Sequence, residues 1–509
     1  MYASRPLEPD SARPESVAPQ GPGRQITLEA PAPLGDQGRV TITLDAAGEV
    51  DQARLHMVEL RGFERYLEGR PIAEIAHVVQ RLCGICPVSH HLAAARAMDR
   101  LAGYQALTPT AEKLRRLMHY GQMVQSHAVH FYHLAAPDLL FGDDGAANRR
   151  AVAEVSEAFP EIATQGVLVR RFGQEVVRAV AGKRGLGGGA VPGGMSRPLT
   201  PETREMLRGD VDQVIDWTEA ALGMIARLHE TNPAFYAGFG TVSGPVVGLV
   251  TAAGGADFYT GALRARSATG APLFDQIAPE RFDDVIETRP VPWSDTEFPH
   301  LKGIGPEEDW YRVGPLARIQ ACDLLTSERA EAERQRLLAM GEGRMLHGVL
   351  FHHWARLVEL LHAAEVIRDL LEDSGLCGHD LIAERSAERP MQAATMIEAP
   401  RGMLFHRYSC DDAGRIRSCQ LIVPTTQNTH ALNAALGQVV RRHLRGRRIT
   451  ETLLGHIERA IRAYDPCLSC ATHALGQMPL EVELRDASGH LLSEIRRGIR
   501  GEVSCAIPG

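Results

Sequence analysis

Two cysteine pairs stand near opposite ends of this 509-residue chain: Cys83 and Cys86 in "RLCGICPVSHH" (81–91), and Cys467 and Cys470 in "DPCLSCATHALGQMPL" (465–480). A Cys-x-x-Cys pair brings two thiolates within reach of one metal, so each pair is half of a four-sulfur site. If the halves meet, the fold must carry residues several hundred positions apart to one point. Structural zinc closed by four cysteines usually ties together small, locally wound modules, and a redox dithiol usually lies in a thioredoxin-like context. Neither context surrounds these pairs, which leaves both as the weaker readings. Four thiolates also hold nickel or a nickel-iron pair, with two sulfurs terminal and two bridging. A histidine follows each pair closely, His90 and His473.

The remaining bulk properties narrow the class. No run of about eighteen apolar residues is present to span a bilayer. A net charge of −8 with scattered Lys and Arg gives no reason to expect nucleic acid or an anionic membrane as partner. Nine cysteines, odd in number and unevenly spaced, do not make a disulfide framework and point to a reducing compartment. Residues 1–24 are rich in Pro, Ser and charge and lack an apolar export segment, so they are expected to be a disordered extension on a cytoplasmic protein.

Hydrophobic periodicity predicts a mainly α fold with small β elements (α+β). Alternation in "RVTITLD" (39–45) and "QARLHMVEL" (52–60) around "AAGE" predicts a hairpin. Helical spacing dominates 91–103, 110–136, 150–182 and 200–231, and returns through 323–373, whose Leu/Val/Ala stripe reads as a bundle core. The glycine-rich stretch 184–200 lacks the lysine of a nucleotide loop and reads as a flexible or close-packed loop. Residues 236–320 are mixed. A second hairpin is expected within 396–428, then helices at 429–445 and 449–464 that deliver Asp465 and the last cysteine pair at Pro466.

The set "RGFE" (61–64), "RLCGICPVSHH", "EAPRG" (398–402), "LIVPTTQN" (421–428) and "DPCLSCATHALGQMPL" resembles the large, catalytic subunit of nickel-iron hydrogenases, and most closely the cytoplasmic bidirectional NAD-linked group. The resemblance runs from about residue 38 to 495 and includes "GQEVVRAVAGKR", "RVGPLARI" and "LLHAAEVIRDLL". It implies a long-helix bundle with the active site buried between the N-terminal and C-terminal cysteine loops. Cys83 and Cys467 would bind nickel alone. Cys86 and Cys470 would bridge it to an iron carrying carbon monoxide and cyanide. Hydrogen would be split heterolytically, with the proton passing to the Cys467 thiolate. His90 would support the bridging sulfur and Arg401 would face the open side of the metals, the alternative for Arg401 being an ordinary buried ion pair with Asp465. Pro424 and Thr425 would line the cyanide ligands. Glu64, His473 and the carbonyl of Leu421 would hold a magnesium-like ion.

The resemblance also implies that residues 25–473 form the working domain and that an endopeptidase removes 474–509 after His473 once nickel is loaded by maturation chaperones. The alternative is that 481–495 forms a final hairpin and stays. Electrons would leave through an iron-sulfur small subunit toward flavin and iron-sulfur diaphorase subunits and NAD(P), since no Rossmann fingerprint or cluster-type cysteine spacing occurs here. One departure stands out. Gly35 occupies the position where the family carries a proton-passing glutamate, leaving Asp36, Glu29 or water as substitutes. That substitution favours one rival reading, a slow hydrogen-sensing homologue; a separate third reading is a non-catalytic scaffold with structural zinc.

Overall fold

The structure, a computed structural model, describes residues 38–56, 62–141, 152–182, 188–291, 293–305, 308–386, 388–446, 448–466, 480–497 and 503–506. Its centre is the helix Phe351–Glu372, which is buried on nearly every face. A helix buried on nearly all sides belongs inside a bundle, even with polar residues among its buried set, and this one packs against Pro109–Ala128 and Pro201–Thr231. The helix Pro160–Ala181 completes that layer. It crosses Pro109–Ala128 at glycines, where a Cβ on Gly173 would lie 2.6 Å from the Gly121 carbonyl oxygen. Proline at the first turn and a Thr cap start several of these helices: Thr108 accepts from the Ala111 amide, and Thr200 from the Thr203 amide.

Gly38–Leu44 pairs antiparallel with Val50–His56, as the alternation predicts. It also pairs in parallel with Leu480–Arg485, from Gly38 opposite Leu480 to Thr43 opposite Arg485. Leu480–Arg485 and Leu491–Arg497 form the hairpin that stood as the alternative reading of the tail, and Val503–Ala506 extends the sheet to five strands. Val40, Ile42, Val482 and Leu484 face one core with the helices Pro424–His443 and Glu451–Tyr464. In the uncut chain the three described strands of the tail thus belong to this sheet.

The second hairpin is larger than predicted: Gly402–Cys410 and Ile416–Ile422 are joined by a third strand, Gln392–Ala399. The following helix begins at Pro424 rather than 429, because proline sits comfortably in a first turn and ends the preceding strand. Within 236–320 the structure has a three-stranded sheet, a two-stranded sheet and the short helix Pro315–Ala321. The described part of the glycine-rich loop is close-packed: a Cβ on Gly194 would fall 1.7 Å from the Leu381 carbonyl oxygen.

Candidate metal centre

A short 3-10 turn, Val79–Leu82, ends in extended backbone at Cys83, and Cys86 caps the helix Pro87–Leu101 with Pro87 in its first turn. This loop buries both thiols and sets their Sγ atoms 2.9 Å apart, while the Cys86 amide donates to Cys83 Sγ at 3.3 Å. The Cys86 hydrogen bond lowers the Cys83 thiol to about 6, and the same contact together with burial holds the Cys86 thiol well above its usual range. The pair thus shares one proton and carries one negative charge near neutrality. His90, one turn into the helix, has a ring nitrogen within 4.8 Å of both sulfurs. Its Nδ1 lies 3.2 Å from His406 Nε2, and His406 Nδ1 lies 2.9 Å from the Tyr408 hydroxyl. Burial pushes His90 down to about 4 and His406 well below the usual histidine range, so both rings are neutral at pH 7.

Arg401 sits in the tight turn between Gln392–Ala399 and Gly402–Cys410 and is almost wholly buried. Its Nη2 pairs with Asp465 Oδ2 at 2.7 Å, Nε donates to the Asp465 carbonyl at 3.0 Å, and Nη1 donates to Ser126 Oγ at 3.1 Å. Burial opposes its charge, but Asp465 and both cysteines outweigh that and raise the guanidinium above its ordinary value. Asp465 itself is a left-handed C-cap of Glu451–Tyr464, with φ 57° and ψ 53°. Burial raises its carboxyl and Arg401 opposes the rise. Arg401 is therefore engaged electrostatically with the first cysteine pair and directly with the residue two places before Cys467. Cys467, Cys470 and His473 lie outside the described residues, as do Gly35, Asp36 and Glu29.

The other expected residues fall around the same sheet. Glu64 Oε1 accepts from the Leu421 amide at 2.8 Å, joining the first helix to the strand Ile416–Ile422. Pro424 and Thr425 occupy the first turn of Pro424–His443, and Thr425 is 9% exposed. Through Arg401, Asp465 at the end of Glu451–Tyr464 is thus linked to the surroundings of the first cysteine pair.

A family model for nickel-dependent hydrogenases matches residues 61–161 and 295–473, more than half of the chain. The chain belongs to the nickel-dependent hydrogenase family. It is 39% identical over 492 residues to the beta subunit of the NAD-reducing hydrogenase HoxS of Cupriavidus necator, covering 93% of this chain and all of that one. It is 35% identical over 480 residues to a polypeptide of the F420-non-reducing hydrogenase of Methanothermobacter marburgensis, covering 92% of this chain and all of the relative. A crystal structure of an NAD+-reducing nickel-iron hydrogenase in the H2-reduced state superposes with a TM-score of 0.81 at 50% identity, covering 84% of this chain and 95% of that one. A nickel-iron-selenium hydrogenase of Desulfovibrio vulgaris Hildenborough shares the fold, with a TM-score of 0.65 at 22% identity over 84% of this chain and 95% of that chain. The hydrogenase large-subunit fold, an oxidoreductase acting on H2 and a nickel-iron active site follow for this chain. No helix among the described residues is long and apolar enough to cross a membrane.

Sequence reasoning missed Ser126, His406 and Tyr408, which complete the surroundings of Arg401 and His90. His406 and Tyr408 share one face of Gly402–Cys410 by the strand period, which is the one signal that links them before folding. Ser126 has no such signal, because its partner is 275 positions away.

Proposed function

We propose that this hydrogenase large subunit holds its nickel-iron pair on Cys83, Cys86, Cys467 and Cys470 and serves hydrogen oxidation or evolution linked to NAD(P) through partner subunits. The observation that carries the reading is the buried Cys83–Cys86 pair coupled to Arg401, which is itself paired with Asp465 on the stem of the second cysteine loop. The donor set fits the group. Two soft sulfurs lie 2.9 Å apart in a buried loop, with the charge of the buried Arg401 guanidinium acting on both.

Bound there, the metal pair would supply a Lewis-acidic centre for polarising H2 toward heterolytic cleavage. The chain's own groups do the rest. Cys467 Sγ takes the proton as the terminal thiolate. Arg401 keeps a fixed positive charge beside the sulfurs in a water-poor site, where it stabilises the thiolate charge. His90 and His406, both neutral, form a hydrogen-bonded brace behind Cys86 rather than a cationic neighbour, which leaves the thiolate charge to Arg401. Pro424 and Thr425, in the first turn of Pro424–His443, would line the cyanide ligands of the iron. Glu64, with Leu421 and His473, holds a magnesium-like divalent ion. The endopeptidase cut after His473 ends the working domain at 25–473 and requires the tail strands to leave or remain as a separate peptide. The electrons pass to an iron-sulfur small subunit, and diaphorase subunits of the kind implied by the NAD-reducing relatives carry them on.

The test is infrared spectroscopy with nickel, iron and zinc analysis on chain purified from a host with competent maturation. Carbon monoxide and cyanide stretches with nickel present are expected. Zinc without those bands, with the tail intact, would refute the reading. Hydrogen-dependent NAD reduction with the native partners then separates the enzyme from a slow hydrogen sensor, the reading that Gly35 favours.

A further inference from the structure

Arg401 is held at both ends by one buried ion cluster that lies outside the metal-ligand set. Arg318, on the helix Pro315–Ala321, donates to Glu359 through Nε and Nη2 at 2.6 Å each and to Glu398 through Nη1 at 2.8 Å. The same guanidinium takes the Ala399 carbonyl at 2.6 Å and the Pro400 carbonyl at 3.2 Å, the two peptide oxygens immediately before Arg401. Glu359 also accepts from His127 Nε2 at 3.0 Å. His127 follows Ser126, whose hydroxyl accepts from Arg401 Nη1 at 3.1 Å. One carboxylate on the central helix Phe351–Glu372 thus reaches Arg401 by two arms. The first runs through Arg318 to the backbone before it, and the second through His127 and Ser126 to its guanidinium.

Backbone geometry tightens the first arm. Gly314 has φ +100°, and a Cβ there would lie 2.7 Å from the Arg401 carbonyl oxygen. Gly402 has φ +142°, and its Cβ would meet the Val313 side chain at 2.4 Å. The "RVGP" segment therefore lies directly on the Arg401 turn, and only glycine at both positions permits the approach. Glu359, Arg318 and Glu398 are 0–2% exposed. A lone guanidinium faces two carboxylates, an arrangement more elaborate than neutralisation of Arg318 requires.

We propose that Glu359 and Arg318 are positioning residues for Arg401, setting where its charge stands relative to the first cysteine pair. The proposal rests on the reading of Arg401 as an active-site group and goes beyond it by assigning a role to residues that touch neither substrate nor metal. Glu359 is the hub: removing its charge slackens both arms, while Glu398 still balances Arg318 and the fold is kept.

The experiment is a double-mutant cycle in the complete hydrogenase purified with its partner subunits, using Glu359→Gln, Arg401→Lys and the pair. Readouts are nickel content, the infrared stretches of the loaded centre, and kcat and KM for hydrogen across pH. Misplacement of a charged group by about 1 Å costs about 100-fold in rate at most. Glu359→Gln is therefore expected to lower kcat about ten- to a hundredfold with nickel content unchanged, and to shift the infrared bands in the same sense as Arg401→Lys. The double variant should be no slower than Arg401→Lys alone, because Glu359 acts through Arg401. Multiplying losses in the double variant would overturn the proposal. If Arg401→Lys itself leaves rate and bands unchanged, the underlying reading of Arg401 fails instead. Should Glu359→Gln lose nickel, Arg318→Lys decides: it keeps a positive charge but loses the forked contacts to Glu359 and to the Ala399 and Pro400 carbonyls, and unchanged bands and kcat would overturn the proposal.

Discussion

Replacing Asp465 by Asn tests the junction between the two halves of the site. Arg401 and Asp465 are each about 5% exposed as side chains and meet at 2.7 Å. Removing one partner of such a buried pair leaves an uncompensated charge, at a cost of about 3–5 kcal/mol. Burial already raises the Asp465 carboxyl, so its ionised form is held only by Arg401 and the more distant Arg356. The dominant penalty in Asp465→Asn is therefore the stranded guanidinium. Removing the cation as well, in Arg401→Met/Asp465→Asn, erases that penalty. It leaves the Ser126 hydroxyl and the Asp465 backbone carbonyl without their donor, about 1 kcal/mol each. The double variant should thus be about 1–3 kcal/mol more stable than Asp465→Asn alone. With an unfolding entropy of about 2.1 cal/mol/K per residue over this chain, each kcal/mol moves the midpoint by about 1 °C. The assay is calorimetry of the metal-free full chain at pH 7 for the wild type, both single variants and the double variant. Additive losses would refute the reasoning, since they would mean that Arg401 and Asp465 stabilise the fold independently.

Four further outcomes are expected. Cys83→Ser or Cys86→Ser should abolish nickel retention while leaving the helical circular dichroism of the chain intact, because two soft ligands cannot be replaced by a hydroxyl. Glu64→Ala should release one equivalent of a divalent ion of the magnesium type and free the Leu421 amide, read by metal analysis and by faster amide exchange at Leu421. Val482→Asp should prevent soluble accumulation of the unprocessed chain, because Val482 is wholly buried in the sheet opposite Val40, and placing an unpaired carboxylate there is prohibitive. Acid stability should decline from about pH 6.5 downward. His90, His91, His127 and His362 are fully buried with values pushed down to about 4 by burial, whereas the unfolded chain protonates near 6.5. The unfolded state therefore binds more protons between those values. Each ring removes on the order of 3 kcal/mol by pH 4, measurable by denaturant titration at stepped pH.

Much of the site was legible before folding because its chemistry is local in sequence. Two cysteines three apart on a loop, closed by Pro87 and a helix carrying His90, make a half-site whose geometry follows from the loop itself. The first hairpin and the tail hairpin were legible for the same reason, since alternation has a short period. The helices Pro109–Ala128, Pro201–Thr231 and Phe351–Glu372 announce themselves by apolar spacing. What stayed hidden joins distant segments. The third strand Gln392–Ala399 is apolar without alternation, because both its faces are buried. The parallel pairing of Gly38–Leu44 with Leu480–Arg485 spans nearly the whole chain and has no local signature.

The linear order of residues determined the ligand types, the two half-sites and the helical class. These depend on composition over a few turns of chain. Tertiary structure alone decided that Arg401 answers to Ser126 and, through Arg318, to Glu359. Those partners come from three separate elements, and a buried charge selects its neighbours by distance and dielectric rather than by position in the sequence.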